Sequence, residues 1–216
     1  MQDEENQLVA VRRGKRERLA ELGEAPYGGR FAVDGAVAEV RAGFAEGRPV
    51  RLAGRISAHR DMGRSQFLDL SDCTGRMQVF VNRKELGEQR WEVFGQLDLG
   101  DVLGVEGECF TTRTGEPTVR VASFTVLAKA LRPPPEKWHG LSDVEARYRQ
   151  RYLDLMANAD ARRVFEQRIR MVRGIRRFLE ERGFVEVETP MMQAVPGGAA
   201  AKPFRTRHNA LAIDLF

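Results

Sequence analysis

Glu186 and Glu188 stand two apart in Phe184-Val185-Glu186-Val187-Glu188-Thr189, a pattern that puts both carboxylates on one face of a short strand. Two carboxylates on one face could serve as a general acid and base. Charges that alternate onto a strand face need no chemistry to explain them, however, and we read them as strand-face charges. His139 and His208 lack a carboxylate-bearing motif that would make them bases or metal ligands. Cys73 and Cys109 are the only cysteines, without metal-ligand spacing and too few for a disulfide framework, so they read as reduced and structural. Arg147, Arg149 and Arg151 read as a charged helix face pairing with Asp143, Glu145 and Asp154. The basic run Arg12, Arg13, Lys15, Arg16 and Arg18 is either a solvated helix face or a contact for an RNA backbone. Gly197 and Gly198 are by default turn formers in a small-residue loop.

The elements that must position these residues follow from periodicity. Asp3 to Leu22 reads as a polar helix with a thin stripe of Leu8, Val11, Leu19 and Leu22; Pro26-Tyr27-Gly28-Gly29 breaks it, and the segment up to Pro49 has no fixed reading. Strands are expected at Val50–Ala58, Phe67–Leu70, Met77–Val81, Val102–Phe110 and Thr118–Leu127, with a helix around Gln89–Leu97 and a turn at Asp72-Cys73-Thr74-Gly75. Five short strands with one helix between the third and fourth match the OB-fold, a Greek-key barrel that binds oligonucleotides. Leu131 to Trp138 carries three successive prolines and reads as a stiff linker. Ser142 to Met156 reads as a helix. Asp160 is expected to cap another, whose Phe165, Ile169, Val172, Ile175 and Leu179 share one face. Gly183 ends that helix, the residue type that tolerates a left-handed C′ position. The strand at Phe184 is then ended by Pro190, and Phe204–Phe216 starts as a further strand.

Composition sets limits on this reading. The 216 residues are 42% hydrophobic and 31% charged, and no apolar run approaches the ~20 residues that span a bilayer. The start Met1-Gln2-Asp3-Glu4-Glu5 has neither a basic region nor an apolar core, so a cytosolic product is expected. A net charge of +4 and an isoelectric point near 9.4 permit a polyanionic partner.

Several segments then carry a more specific pattern: Lys137-Trp138-His139-Gly140-Leu141, Arg147 to Leu155, Glu186-Val187-Glu188-Thr189-Pro190-Met191-Met192, Pro196-Gly197-Gly198-Ala199 and His208-Asn209-Ala210-Leu211. In this order, behind an OB-fold and a proline linker, they resemble the class II aminoacyl-tRNA synthetases that charge lysine, aspartate or asparagine. The lysyl-tRNA synthetase branch fits best, from about Pro26 onward. The resemblance implies a mixed fold, an OB-fold β-barrel for the anticodon followed by the start of a class II α+β catalytic domain. The expected boundaries are 1–49 for an N-terminal helix and entry segment, 50–130 for the barrel, 131–140 for the linker and 141–216 for the catalytic start.

By that resemblance Arg60, Phe67, Gln78 and Glu116 contact the anticodon. The residue types suit it: an aromatic stacks on an unpaired base, an amide and a carboxylate bond base edges, and Arg60, helped by Arg64 and Arg76, meets phosphate. On position alone Phe67 would belong to the core, and Gln78 and Glu116 to solvated strand and turn. The resemblance also implies that Gly197 and Gly198 line a lysine-pocket loop and that Pro190, in the family's motif 1, faces a partner subunit of a homodimer. It implies tRNA, lysine and ATP with Mg²⁺ for the full-length enzyme, and no membrane. No catalytic residue, metal ligand or cofactor is expected in these 216 residues, because the family's motif 2 and motif 3 arginines and its magnesium-holding acids lie further on. Alone the chain is expected inactive, with exposed apolar surface. Pro134, Cys73, Arg207 and Ala212 depart from the family, the last two standing where His and Asp are usual. A catalytically inactive OB-fold RNA-binding protein and an aspartyl- or asparaginyl-tRNA synthetase fragment are the alternatives; a lysine-transferring membrane enzyme sharing this architecture finds no membrane segment to support it.

Overall fold

The computed structural model describes residues 2–134, 141, 143–197 and 202–216, which form two compact units, 1–153 and 154–216. In the first, β1 (Pro49–Asp61), β2 (Ser65–Ser71), β3 (Arg76–Asn82), β4 (Val102–Thr111) and β5 (Pro117–Ala128) close a barrel in the order β1-β2-β3-β5-β4. Apolar residues at alternate positions drive closure: Leu52 and Ile56, Leu68 and Leu70, Met77, Val79 and Val81, Leu103 and Val105, and Val119 and Val121 are all buried on the inner face. β1 serves two neighbours, pairing with β4 up to Arg55 and with β2 from Arg55 onward. A bulge between Ile56 and Ala58 accompanies the change. Only β3 and β5 run parallel. The expected barrel is present, each strand reaching one to three residues beyond its expected ends where these differ at all.

Gly107 sits at a register shift between β4 and β5, where a Cβ would lie 1.9 Å from the Arg120 carbonyl oxygen. That approach admits no side chain. Gly107→Ala must therefore push the two strands apart, and we expect a loss of about 1–3 kcal/mol. A urea melt checks it: the midpoint falls while the slope is kept.

The helix expected around Gln89–Leu97 is α4 (Glu88–Phe94), preceded by a short α3 (Arg83–Leu86) that meets it at Gly87, whose φ is +78°. Leu86, Val93, Phe94 and Leu97 join the barrel core. The N-terminal helix α1 (Gln2–Glu21) buries Leu19 completely. It ties Arg12 and Lys15 of its basic run to the chain around the barrel. Arg12 donates to the carbonyls of Leu99 (2.9 Å) and Ala130 (3.0 Å), and Lys15 Nζ lies 2.6 Å from Asp98 Oδ1. Behind them Lys129 Nζ meets Asp98 Oδ2 at 2.5 Å and Asp101 Oδ2 at 2.8 Å, with the Lys129 and Asp101 side chains fully buried. Arg16 pairs with Glu17 and Arg18 with Glu21 and Glu92, so among these cations Arg13 is the one left exposed with no ion pair to a described residue. α2 (Val37–Ala42) arises in the segment that had no fixed reading and buries Val37 and Val40.

Past the barrel the expected helix from Ser142 is two, α5 (Val144–Arg149) and α6 (Arg151–Ala157), broken at Gln150; residues 135–140 and Ser142 lie outside the described residues. Asp143 caps α5 through the Glu145 amide, and Arg149 pairs with Glu145 as a solvated helix face should. In the second unit α7 (Ala159–Glu180) is capped not by Asp160 but by Asn158, whose side chain accepts from the amides of Asp160 and Ala161 at 3.1 Å each. Both residues can cap; the one placed before the first helical residue does so. Gly183 adopts φ +81°, with Gly183 N–H on Glu180 O and Phe184 N–H on Leu179 O. Those two bonds make the Schellman ending expected of it. Residues 184–189 then form no strand. Their alternation suits one, but no ladder partner pairs with them among the described residues. The α7 stripe of Phe165, Ile169, Ile175 and Leu179 is 37–54% exposed. The end of the chain is a hairpin, β6 (Thr206–His208) with β7 (Ile213–Leu215), rather than one strand. Its turn holds Ala212 at φ +52°, a left-handed position that Asp would tolerate better.

Candidate nucleic-acid interface

Strand register assembles the outer face of the barrel into two rows. Arg60 lies opposite Phe67, Phe67 opposite Phe80, and Phe80 opposite Arg120. One step along, Asp69 lies opposite Gln78 and Gln78 opposite Thr118. Because Leu68, Leu70, Val79 and Val119 between them point into the core, these residues point out. Phe67 is thus a half-buried ring of the outer face and not a core residue. Its ring lies 5.0 Å from that of Phe80.

The polar groups form one connected chain. Asp69, 3% exposed, accepts from Arg60 Nη2 at 3.1 Å and from Arg76 Nη1 at 3.0 Å. One buried carboxylate therefore fixes two arginines whose remaining N–H groups stay outward. The Arg76 carbonyl accepts from Arg41 at 3.3 Å, and Arg41 Nη1 also meets Glu116 Oε1 at 3.1 Å. The Glu116 carbonyl accepts from the Thr118 hydroxyl at 3.1 Å, and that hydroxyl lies 2.8 Å from Gln78 Oε1. Gln78 is tied to Thr118 by its amide end, the single Thr118 hydroxyl proton lying between two oxygens. Arg60, Phe67, Gln78 and Glu116 are brought together.

Arg41 comes from α2, whose position is set by the β2–β3 turn. Asp72 accepts from the amides of Val37 (2.9 Å), Thr74 (2.7 Å) and Gly75 (2.9 Å), and Thr74 Oγ1 accepts from the Ala38 amide at 3.0 Å. Burial pushes the Asp72 carboxyl up, but these hydrogen bonds outweigh it and hold the group below the usual carboxylate range. The turn therefore stays charged and holds α2 in place at neutral pH. Sequence reasoning missed Arg41, Asp69 and Thr118. An acid between two leucines of a barrel strand, Leu68-Asp69-Leu70, was the available signal for Asp69; Arg41 had none, since its partners are 35 and 75 residues away.

The other expected positions lie in the second unit. Pro190 and Gly197 are exposed in irregular chain, and among the described residues nothing lies within 4 Å of where a Gly197 side chain would begin. Gly198 lies outside the described residues, as do Trp138 and His139. His208 accepts the Leu211 amide on Nδ1 at 3.1 Å and so serves the hairpin turn. Cys73 is exposed and Cys109 buried, and burial pushes the Cys109 thiol up. Among the described residues no group of three or more His, Cys, Asp or Glu side chains could hold a metal ion. No helix among them is long and apolar enough to cross a membrane.

Comparison with known proteins agrees with this geometry. Residues 50–127 match the family model described as OB-fold nucleic acid binding domain, and residues 143–216 match tRNA synthetases class II (D, K and N). The lysine–tRNA ligases of Pelotomaculum thermopropionicum and Moorella thermoacetica are each 51% identical over 98% of the chain. That of Magnetococcus marinus is 49% identical over all of it. The chain spans 42–45% of the length of these relatives.

Proposed function

From a chain related over almost all its length to the lysine–tRNA ligases, we propose that these residues are the anticodon-binding and dimerisation part of an enzyme that attaches lysine to its tRNA. Phe67 stacks on an unpaired anticodon base, Gln78 and Glu116 bond base edges, and Arg60 meets phosphate or a base acceptor. The observation that carries this is the single hydrogen-bonded chain joining Arg60 to Gln78 and Glu116 beside an outward aromatic ring. Preorganised donors and acceptors next to a stacking surface suit a splayed single strand and not a duplex.

In the complete enzyme the lysine carboxylate attacks the α-phosphate of ATP, pyrophosphate leaves, and the lysyl group passes to the terminal ribose of the tRNA. We place the site for ATP with Mg²⁺ outside these residues. We assign residues 50–130 to the barrel, 131–140 to the linker and 141–216 to the start of the catalytic domain. Gly197 and Gly198 belong to the loop beside the lysine, and the segment around Pro190 pairs two subunits of a cytoplasmic homodimer. The exposed stripe of α7 supports that pairing.

Two measurements test the reading. The 216-residue chain should bind the lysine tRNA anticodon stem-loop, the log of its affinity falling by about 0.7 per neutralised phosphate for each log unit of salt, and should not exchange pyrophosphate into ATP. The complete gene product should exchange pyrophosphate in the presence of lysine. Exchange with aspartate or asparagine instead, the other amino acids of the matched family model, would move the substrate and leave the architecture standing.

A further inference from the structure

The aromatic surface does not end at Phe67. Phe80 continues it on β3, and Phe110 on β4 follows with its ring 5.9 Å from that of Phe80 at an interplanar angle of 69°. Arg120 then lies over Phe110, its guanidinium carbon 4.9 Å from the ring centroid. All three rings are half-buried on the outer face, whereas the core below is complete without them. An aromatic side chain on a solvated sheet face leaves apolar area in water. Three in a connected strip leave a surface longer than a single nucleobase covers.

Arg120 has a matching peculiarity. Its side chain is 51% exposed, and its single ion pair among the described residues, with Glu85, is long at 3.8 Å. Arg60 and Arg76, by contrast, are anchored on Asp69 at 3.1 and 3.0 Å. Arg120 is therefore held mainly by a ring, in a position to stack on a base or to turn its N–H groups to a phosphate.

We infer that Phe80 and Phe110, with Arg120 over Phe110, form a second stacking subsite, which takes the unpaired nucleotide next to the one on Phe67. This rests on the anticodon reading given above. A single strand crossing the barrel face would then lay one base on Phe67 and the next on Phe80 and Phe110, its phosphate toward Arg120. Stacking tolerates any base, so this subsite adds affinity and orientation, while Gln78 and Glu116 supply the base-edge contacts.

The test compares the anticodon stem-loop with versions carrying an abasic nucleotide at each loop position in turn, measured by equilibrium binding to the chain and to its variants Phe80→Leu, Phe110→Leu, Arg120→Ala and Phe67→Leu. Leucine keeps a packed apolar group, and the exposed Arg120 can be removed without disturbing the core. We expect Phe80→Leu, Phe110→Leu and Arg120→Ala each to weaken the intact loop by about 5- to 30-fold. The loss should vanish on the loop lacking one particular base, and that base should differ from the one that silences Phe67→Leu. If the three variants bind the intact loop like the wild type while Phe67→Leu is weakened, the second subsite is wrong and the anticodon reading stands. If Phe67→Leu is unaffected as well, both fall. If all variants lose their effect on the same abasic loop, the strip is one site and the proposal is overturned.

Discussion

Phe67→Ala is expected to weaken binding of the lysine tRNA anticodon stem-loop by about 1–3 kcal/mol, roughly 5- to 150-fold, while the barrel melts nearly unchanged. The two halves of that expectation come from one fact of register. Phe67 alternates with Leu68 and Leu70, whose side chains fill the core, so truncating it removes outward ring area and opens no internal cavity. Its contact with Phe80 at 5.0 Å is lost, which lowers stability slightly. A base stacked on Phe67 loses its whole platform, because Arg60, opposite it, is tied to Asp69 and is not free to replace the ring. Binding isotherms and a thermal melt of the same preparation separate the cases: unchanged affinity sinks the role of Phe67, and a large fall in melting temperature makes it a core residue.

Lys129→Met is expected to cost about 3–5 kcal/mol of stability, a large share of the ~5–15 kcal/mol typical of a domain. Lys129 neutralises two carboxylates at once, and it and Asp101 are fully buried. Methionine fills a similar volume but strands Asp101 and half of Asp98. Truncating Asp101 as well is no rescue, since its carboxylate also accepts from the amides of Asp98 and Ala130 at 2.8 Å each. The pH dependence distinguishes this account from simple misfitting. Burial pushes Asp98 up, but the hydrogen bonds and charges of Lys129 and Lys15 outweigh it, and the net direction is downward. A lowered folded-state pKa contributes stability that is present above the unfolded value, near 4, and lost as pH falls through the folded one. The gap between wild type and Lys129→Met in urea should therefore be widest at neutral pH and narrow below about pH 4. A pH-independent gap would mean that packing rather than charge holds α1, the 98–101 loop and the barrel exit together.

What could be read from the sequence divides along a physical line. The five strands were legible because burial on one face imposes period two on each strand separately, and the Asp72–Gly75 turn because its residues hydrogen-bond locally. Gly183 was legible for the same reason, as a helix end is decided within a few residues. Hidden were features whose cause lies far along the chain. α2 is six residues long, too short to show periodicity, and its amides are satisfied by Asp72 and Thr74 from the β2–β3 turn. The strand expected at Phe184 had the right alternation, but a strand also needs a partner, and residues 184–189 pair with none among the described residues. In the site itself, Arg60, Phe67, Gln78 and Glu116 came from resemblance, and position alone favoured the core for Phe67 and solvated strand and turn for Gln78 and Glu116. Asp69 and Arg41, which tie them together, follow only once register and tertiary contacts are known.

The most direct measurement is the affinity of this chain for lysine tRNA against the same transcript altered only in its three anticodon bases, at one fixed salt concentration. If the outer face of β1, β2 and β3 reads the anticodon, the altered tRNA binds at least about tenfold more weakly, since each base-edge hydrogen bond lost at Gln78 or Glu116 is worth about 0.5–1.5 kcal/mol. Equal affinity for the two transcripts would contradict the account and leave the barrel as a surface that holds the RNA backbone alone.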